Sequence, residues 1–135
     1  MKILVVHRQG QVADQIRLIL QDNNPVVIHC DSGFDGLLTS RIEPFDLIIC
    51  AIDLPVVTGF EMIRAVRNGS LNRKAPVIML AAELNHKTSH LGNALGVSGM
   101  IEENAMNEKL GQIVNYAFTH VKTTTPGLMI NPSLN

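Results

Sequence analysis

The chain has 135 residues, a formal net charge of -1 and 46% hydrophobic residues, which is enough apolar material for one domain with a substantial core. Lysine and arginine do not cluster, and the chain has no Trp and one Tyr, so it lacks the basic patch and stacking rings of a nucleic-acid interface. No apolar run approaches the length of a membrane span, and no signal-peptide pattern follows the first residues. We therefore expect a cytoplasmic protein that binds neither nucleic acid nor membrane.

Five short apolar runs recur along the chain, and each predicts a β-strand. They cover residues 3–6, 26–30, 47–50, 77–80 and 99–101. The first four are continuous and rich in Val, Ile and Leu. Such runs are typical of strands that are covered on both faces, as in a parallel sheet.

Stretches with helical periodicity separate these runs. Apolar residues recur at i, i+4, i+7 and i+8 from Val12 to Leu20, and similar apolar faces follow residues 60 and 110. Weaker patterns predict helices over 33–41 and 85–95, with Gly96 as the stop of the latter. Five strands alternating with five helices predict an α/β fold, a doubly wound sandwich with right-handed crossovers.

The chain has two cysteines, and its last segment differs in composition from the rest. Cys30 and Cys50 each end an apolar run, so we expect unpaired, buried thiols. The segment 122–135 has two prolines, a Thr run and no periodicity, which predicts a flexible tail or the stub of a linker. The predicted domain therefore covers residues 1–121.

In this order the elements resemble a response-regulator receiver domain of the CheY-like family. The resemblance rests on "KILVV", "DLIIC", "LPVVTGFEMIRAVR", "APVIML" and "LGVSGMI", with Pro55 and Gly59 four and eight residues after Ala51. It implies a (βα)5 flavodoxin-like fold with a parallel five-stranded sheet in the order 2-1-3-4-5. It also implies a site at the carboxyl edge of that sheet.

The resemblance further implies a phosphorylation site of defined composition. Two acidic residues after the first strand hold Mg²⁺ together with an aspartate that ends the third strand and accepts the phosphoryl group. A Ser or Thr after the fourth strand and a Lys after the fifth contact the phosphoryl oxygens. This sequence carries His7 and Arg8 for the acidic pair, Ala51 for the acceptor, Ala81 for the hydroxyl residue and Glu103 for the lysine.

These substitutions predict a degenerate pocket. Alanine offers no nucleophile, and arginine repels a divalent cation, so we expect no catalytic residue, no Mg²⁺ or other cofactor, and no enzymatic activity. Since Arg8 and Glu103 exchange sign relative to the family, we expect Arg8 to approach Glu103 or Asp53 across the sheet edge. An exposed pair of this kind would stabilise the fold by roughly 0–1 kcal/mol.

Asp53 leaves one alternative open, since it is the remaining carboxylate of the loop after the third strand. It could act as a displaced phosphate acceptor in an active receiver. The competing interpretation is a loop aspartate whose carboxylate bonds nearby backbone amides.

The resemblance also implies a partner surface, formed by the fourth helix, the fifth strand and the fifth helix. On this sequence the surface includes Lys87, His90, Met100, which replaces the aromatic switch residue of the family, and the outer residues of 107–120. We therefore predict an atypical, phosphorylation-independent receiver that binds a protein partner of a signalling pathway. A homodimer through the same surface is a further expectation.

Other functions fit the sequence less well. His86 and His90 share a helical face and could bind Zn²⁺, but a solvated face is the favoured interpretation because no third ligand beyond Glu83 lies near them. A flavodoxin needs a phosphate loop rich in hydroxyls and glycines, which "HRQGQVADQ" is not. A DNA-binding regulator is disfavoured by the charge.

Overall fold

The computed structural model describes residues 1–69 and 71–123, with side chains up to residue 119 in the last helix. Five strands occupy the five predicted runs, and all but the second gain one residue at an end. Their bounds are β1 Lys2–Val6, β2 Val26–Cys30, β3 Leu47–Ala51, β4 Val77–Ala81 and β5 Gly99–Glu102. The apolar runs therefore located the strands correctly.

The strands form one parallel sheet in the order β2-β1-β3-β4-β5, which confirms the predicted fold class. Every residue of β3 and β4 is buried, as expected for strands covered on both faces. Strand β2 lies at one edge and is half-exposed along most of its length. Strand β5 lies at the opposite edge of the sheet, so the surfaces beside β2 and β5 are far apart on the molecule.

Five helices connect and cover the strands. Their bounds are α1 Gly10–Ile19, α2 Gly33–Ile42, α3 Gly59–Asn68, α4 His86–Ala94 and α5 Met106–Thr123, and short 3-10 turns cover Gln21–Asn23 and Glu103–Ala105. Side chains of α1 and α5 pack on one face of the sheet, and those of α3 with Leu37 of α2 pack on the other. No helix within the described ranges is long and apolar enough to cross a membrane.

Local hydrogen bonds explain where α3 begins and where α4 ends. Thr58 and Glu61 bond each other's backbone N–H reciprocally at the start of α3. The bond that the Thr58 N–H donates to the Glu61 carboxylate lowers the pKa of that carboxyl. At the end of α4, Gly96 adopts a φ of 68°, and Val97 N–H donates to the Gly92 carbonyl at 3.2 Å. The predicted stop at Gly96 is confirmed.

The predicted domain end, at residue 121, falls within the last helix. Helix α5 continues through Thr123, two residues past the predicted boundary, and the rest of the predicted tail lies outside the described residues. Cys30 and Cys50 are both unpaired, as predicted, but the predicted burial of Cys30 is wrong: it is half-buried, because it lies at the end of the edge strand β2. Cys50 is fully buried, and this burial raises the pKa of its thiol to about 12, so the thiol stays protonated and unreactive.

Candidate functional site

The carboxyl ends of β1, β3 and β5 meet at an open cleft of about 360 Å³. Its lining comprises His7, Arg8, Gln9, Asp53, Ala82 and Glu103. The structure thus brings together four of the six predicted pocket residues. The other two, Ala51 and Ala81, are buried at the ends of β3 and β4.

His7 is the buried polar residue of this cleft, with 6% of its surface exposed. The backbone N–H of Gln9 donates to His7 Nδ1 at 3.0 Å, and His7 Nε2 lies 3.2 Å from Glu103 Oε1. Since Nδ1 accepts a hydrogen bond, we place the ring proton on Nε2, where it is donated to the carboxylate. His29 adds a third contact because its Nε2 lies 2.8 Å from the His7 carbonyl oxygen. Both ring nitrogens of His7 are therefore satisfied within the protein.

The predicted pairing of Arg8 is wrong. Arg8 is exposed, and within the described part of the chain it forms no ion pair with Glu103 or Asp53. Successive residues of an extended segment project to opposite sides, so His7 and Arg8 cannot both turn inward at the end of β1. The inward position belongs to His7, which makes the contact that was predicted for Arg8.

Ala51 ends β3 beneath a tightly packed loop. The Gly59 N–H donates to the Ile52 carbonyl at 3.0 Å, and a Cβ added at Gly59 would lie 2.1 Å from the Ala51 carbonyl oxygen. The side chain of Ala51 is a buried methyl group, 3% exposed. A methyl group offers no atom that can attack phosphorus or coordinate a cation.

Asp53 is exposed at the rim of the cleft. Its carboxylate accepts no hydrogen bond from any residue within 1–69 and 71–119, so the interpretation as an amide-bonding loop aspartate is wrong. The side chain is thus accessible to solvent and to small molecules in the cleft.

Val56 has a strained backbone in the same loop. Its φ is 66°, its side chain is 97% exposed, and Val57 N–H donates across it to the Pro55 carbonyl at 2.8 Å. This is a γ-turn of the strained kind, and a β-branched residue is disfavoured in it. Because the exposed side chain of Val56 packs against little of the protein, a substitution can relieve the strain without loss of packing.

We expect Val56→Gly to stabilise the protein, because glycine adopts positive φ without a Cβ penalty. The expected gain is about 1 kcal/mol, reduced from the full penalty by the greater freedom of glycine in the unfolded chain. Urea unfolding of Val56→Gly beside Val56→Ala, which keeps the Cβ, measures it. A Val56→Gly variant less stable than Val56→Ala would contradict this account of the strain.

The sequence did not single out Glu102, the residue before Glu103. Its Oε2 accepts a hydrogen bond of 2.9 Å from Leu84 N–H, which anchors the loop between β4 and α4 to the end of β5. A glutamate at a strand end is an ordinary surface residue in sequence, and only the register of β4 with β5 brings it beside that loop.

The residues of the predicted partner surface lie at the β5 edge. Lys87 and His90 are exposed on α4, and Met100 of β5 is half-buried beneath that helix. A Cβ added at Gly92 would lie 2.4 Å from Met100 Sδ, so Met100 fills the space that this glycine leaves. No cluster of three or more His, Cys, Asp or Glu side chains suited to a metal occurs among residues 1–69 and 71–119.

A family model described as the response regulator receiver domain matches residues 3–115. The chain belongs to the response-regulator receiver domain family. The structure of chemotaxis protein CheY4 of Vibrio cholerae is similar to this receiver domain with a TM-score of 0.77 and 29% identity, covering 85% of this chain and 96% of that one. A CheY-like receiver domain of Methanospirillum hungatei has a TM-score of 0.81 at 19% identity, over 92% of this chain and 98% of that one. At 19% identity, the similarity to the Methanospirillum hungatei domain shows that the two chains share a fold.

A curated relative of this receiver domain is longer than the chain. The cell cycle response regulator CtrA of Brucella ovis is 27% identical over 94 residues, which are 68% of this chain and 40% of that protein. The chain therefore spans less than half the length of this relative.

The cleft of this receiver domain has few donor groups of the kind that Mg²⁺ prefers. Mg²⁺ prefers an octahedral set of oxygen ligands that includes one or two carboxylates. At the cleft, Glu103 is engaged by His7, and the exposed Arg8 adds a positive charge. Asp53 is the carboxylate that has no partner among the residues that the structure describes. The receiver domain of sensor histidine kinase PA1611 from Pseudomonas aeruginosa has a similar fold. Its structure holds a magnesium ion in the active site cleft and has a TM-score of 0.74 at 20% identity, over 85% of this chain and 94% of that one.

Proposed function

We propose that this receiver domain works without phosphorylation, as a protein-interaction module of two-component signalling. The observation that carries the proposal is the buried methyl group of Ala51 at the position where the family resemblance implies the acceptor aspartate. Phosphoryl transfer requires a nucleophilic oxygen in line with the donor, and the end of β3 supplies none.

The hydrogen bonds of the cleft support this proposal. The family resemblance implies acidic residues after β1 and a lysine after β5. Here the two kinds of residue are exchanged, with the basic His7 after β1 and the acidic Glu103 after β5. The reversed pair links the two strand ends directly, with 3.2 Å between His7 Nε2 and Glu103 Oε1. We infer that this contact holds the cleft in one state and that Mg²⁺ binding has been lost.

A protein partner is the ligand class that remains, because receiver domains generally act as non-enzymatic signalling modules that bind other proteins. We propose that the partner meets the surface of α4, β5 and α5, where Lys87 and His90 are exposed and Met100 lies beneath them. The net charge of -1 and the scarcity of aromatic residues favour neither nucleic acid nor an anionic membrane. We propose the cytoplasm as the location of this signalling.

Asp53 carries a second candidate function, that of a displaced phosphate acceptor. Its carboxylate is exposed in the cleft and has no hydrogen-bond partner among residues 1–69 and 71–119, so a phosphodonor can reach it. The adjacent Arg8 could balance the charge of an incoming phosphate, but the cleft lacks the lysine that the family places there.

An amide NMR titration with Mg²⁺ and then beryllofluoride, a mimic of the acyl phosphate, tests both candidates. We expect no saturable shift at Arg8, Ala51, Asp53 or Glu103, and no phosphoryl adduct in intact mass spectra after incubation with acetyl phosphate. The same measurements on Asp53→Asn give the matched control.

Saturable shifts that reach α4 and Met100 would contradict the main proposal. If these shifts and the adduct disappear in Asp53→Asn, Asp53 is the acceptor and the second candidate is correct. If they persist in Asp53→Asn, another acid of the cleft accepts the phosphoryl group, and both candidates are wrong.

A further inference from the structure

Helix α2 exposes an apolar stripe to solvent. Phe34, Leu38 and Ile42 follow one another at intervals of four residues, and 58%, 45% and 79% of their surfaces are exposed. Residues four apart lie on the same face of a helix, one turn after another. Leu37 on the other side of α2 packs against the core, so this helix is apolar on two faces. The sheet buries only one of them.

Two charged residues flank this stripe on opposite sides. Asp35 lies three residues before Leu38 and Arg41 lies three residues after it, and both are exposed. Neither takes part in an ion pair with any residue within 1–69 and 71–119. The exposed face of α2 is therefore symmetric about Leu38, with apolar residues at equal spacings and opposite charges at equal spacings.

We propose that α2 pairs with α2 of a second copy of this chain, in an antiparallel arrangement whose two-fold axis passes beside Leu38. An antiparallel two-fold axis brings residues at equal distances before and after Leu38 to the same level. It places Phe34 beside Ile42 of the second copy, and Asp35 within reach of Arg41 of the second copy. Symmetry repeats each contact, so the dimer contains two such ion pairs.

The charge pattern selects this arrangement over others. A parallel pairing would place Asp35 against Asp35 and Arg41 against Arg41, and like charges at that distance repel. An unrelated partner would require no symmetry about Leu38, whereas an isologous interface requires a self-complementary surface. Burial of the stripe removes its apolar side chains from water, and this burial supplies the driving force.

This dimer uses the β2 edge of the molecule, unlike the homodimer expected from the family resemblance. Strands β2 and β5 lie at opposite edges of the sheet, and α2 packs beside β1 and β2. The surface of α4, β5 and α5 therefore stays free in the dimer. The dimer would then present two copies of the α4, β5 and α5 surface, one on each chain.

Sedimentation equilibrium of the full chain across a wide concentration series tests the proposal. We expect a reversible dimer, and Leu38→Glu should weaken it by about 30-fold or more, because it buries a charge at the centre of the contact. Asp35→Arg and Arg41→Asp should each weaken it by about tenfold, since each change replaces two attractions with two repulsions. The double variant D35R/R41D restores both pairs and should return to within about threefold of the original affinity.

Lys87→Glu on α4 probes the alternative homodimer surface of α4, β5 and α5, and it should leave the α2 dimer unchanged. Leu38 is exposed in the monomer, so the circular dichroism spectrum of Leu38→Glu should match that of the original chain. If Leu38→Glu fails to fold, the charge-reversal series decides alone. A monomer at every concentration would overturn the proposal. So would a dimer that Lys87→Glu disrupts and Leu38→Glu does not, or single reversals that the double variant fails to restore.

Discussion

Arg67→Ala should lower the free energy of unfolding by about 3 kcal/mol, although the residue lies near the end of an amphipathic helix. Its guanidinium donates to the carbonyl oxygens of Leu95 at 3.0 Å, Gly96 at 3.1 Å, Ala75 at 2.7 Å and Arg73 at 2.9 Å. These bonds join the end of α3 to the turn after α4 and to the segment before β4. Partial burial lowers the pKa of Arg67, and the four carbonyl oxygens stabilise its positive charge.

Arg64→Ala is the matched control, because Arg64 is exposed on the same helix and its side chain makes no hydrogen bond with residues 1–69 or 71–119. That variant should change stability by no more than about 0.5 kcal/mol. Arg67→Lys should recover only part of the loss, since an ammonium group cannot span carbonyls on two segments as a planar guanidinium does. Urea midpoints and m-values of the three variants decide the matter. Equal midpoints for Arg67→Ala and Arg64→Ala would show that the four bonds add nothing to stability.

Gly59→Ala should destabilise the protein by about 3 kcal/mol or more, because its Cβ has no room. That atom would lie 2.1 Å from the Ala51 carbonyl oxygen and 2.9 Å from the Ala51 carbonyl carbon and Ile52 Cα. All three are backbone atoms, so the clash cannot be relieved by a rotamer change. The end of β3 or the start of α3 must shift, and the loop that joins them carries Asp53 of the cleft.

Gly111→Ala gives the opposite expectation with the same chemical change. Gly111 lies within α5, and a Cβ added there meets no atom within 4 Å. We expect a gain of about 0.5–1 kcal/mol, since alanine is the better helix former. Thermal and urea unfolding of the two variants compare them directly. A Gly59→Ala variant as stable as Gly111→Ala would mean that the loop after β3 is looser than the structure indicates.

The two dimer surfaces considered for this chain have different origins. The surface of α4, β5 and α5 came from the family resemblance, which identifies residues by position in the chain. The α2 surface came from exposure, since the sequence predicted a helix over 33–41 without indicating that Phe34, Leu38 and Ile42 would face solvent. A periodic apolar pattern shows that a helix has an apolar face, but it does not say which of two apolar faces the sheet will cover.

The cleft illustrates the same limit at the level of single residues. The sequence placed His7, Arg8, Asp53 and Glu103 at one edge of the sheet, because the carboxyl ends of parallel strands meet there. It could not decide which of two adjacent residues would face Glu103. That choice depends on the direction of each side chain as the chain leaves β1, and the structure assigns the contact to His7 at 3.2 Å.

The sequence by itself located the strands and helices, because these depend on periodicity that is local in the chain. The sheet order and the family were implied by the resemblance that its motifs carry. The sequence also predicted the loss of the usual acceptor, since Ala51 stands at the position that the family resemblance implies and has no side-chain oxygen in any conformation. Tertiary structure alone decided the role of Arg67, the partner of His7 and the exposure of the α2 stripe. Each of these depends on contacts between segments far apart in sequence, and such contacts follow from the packing of the whole chain rather than from any one stretch of it.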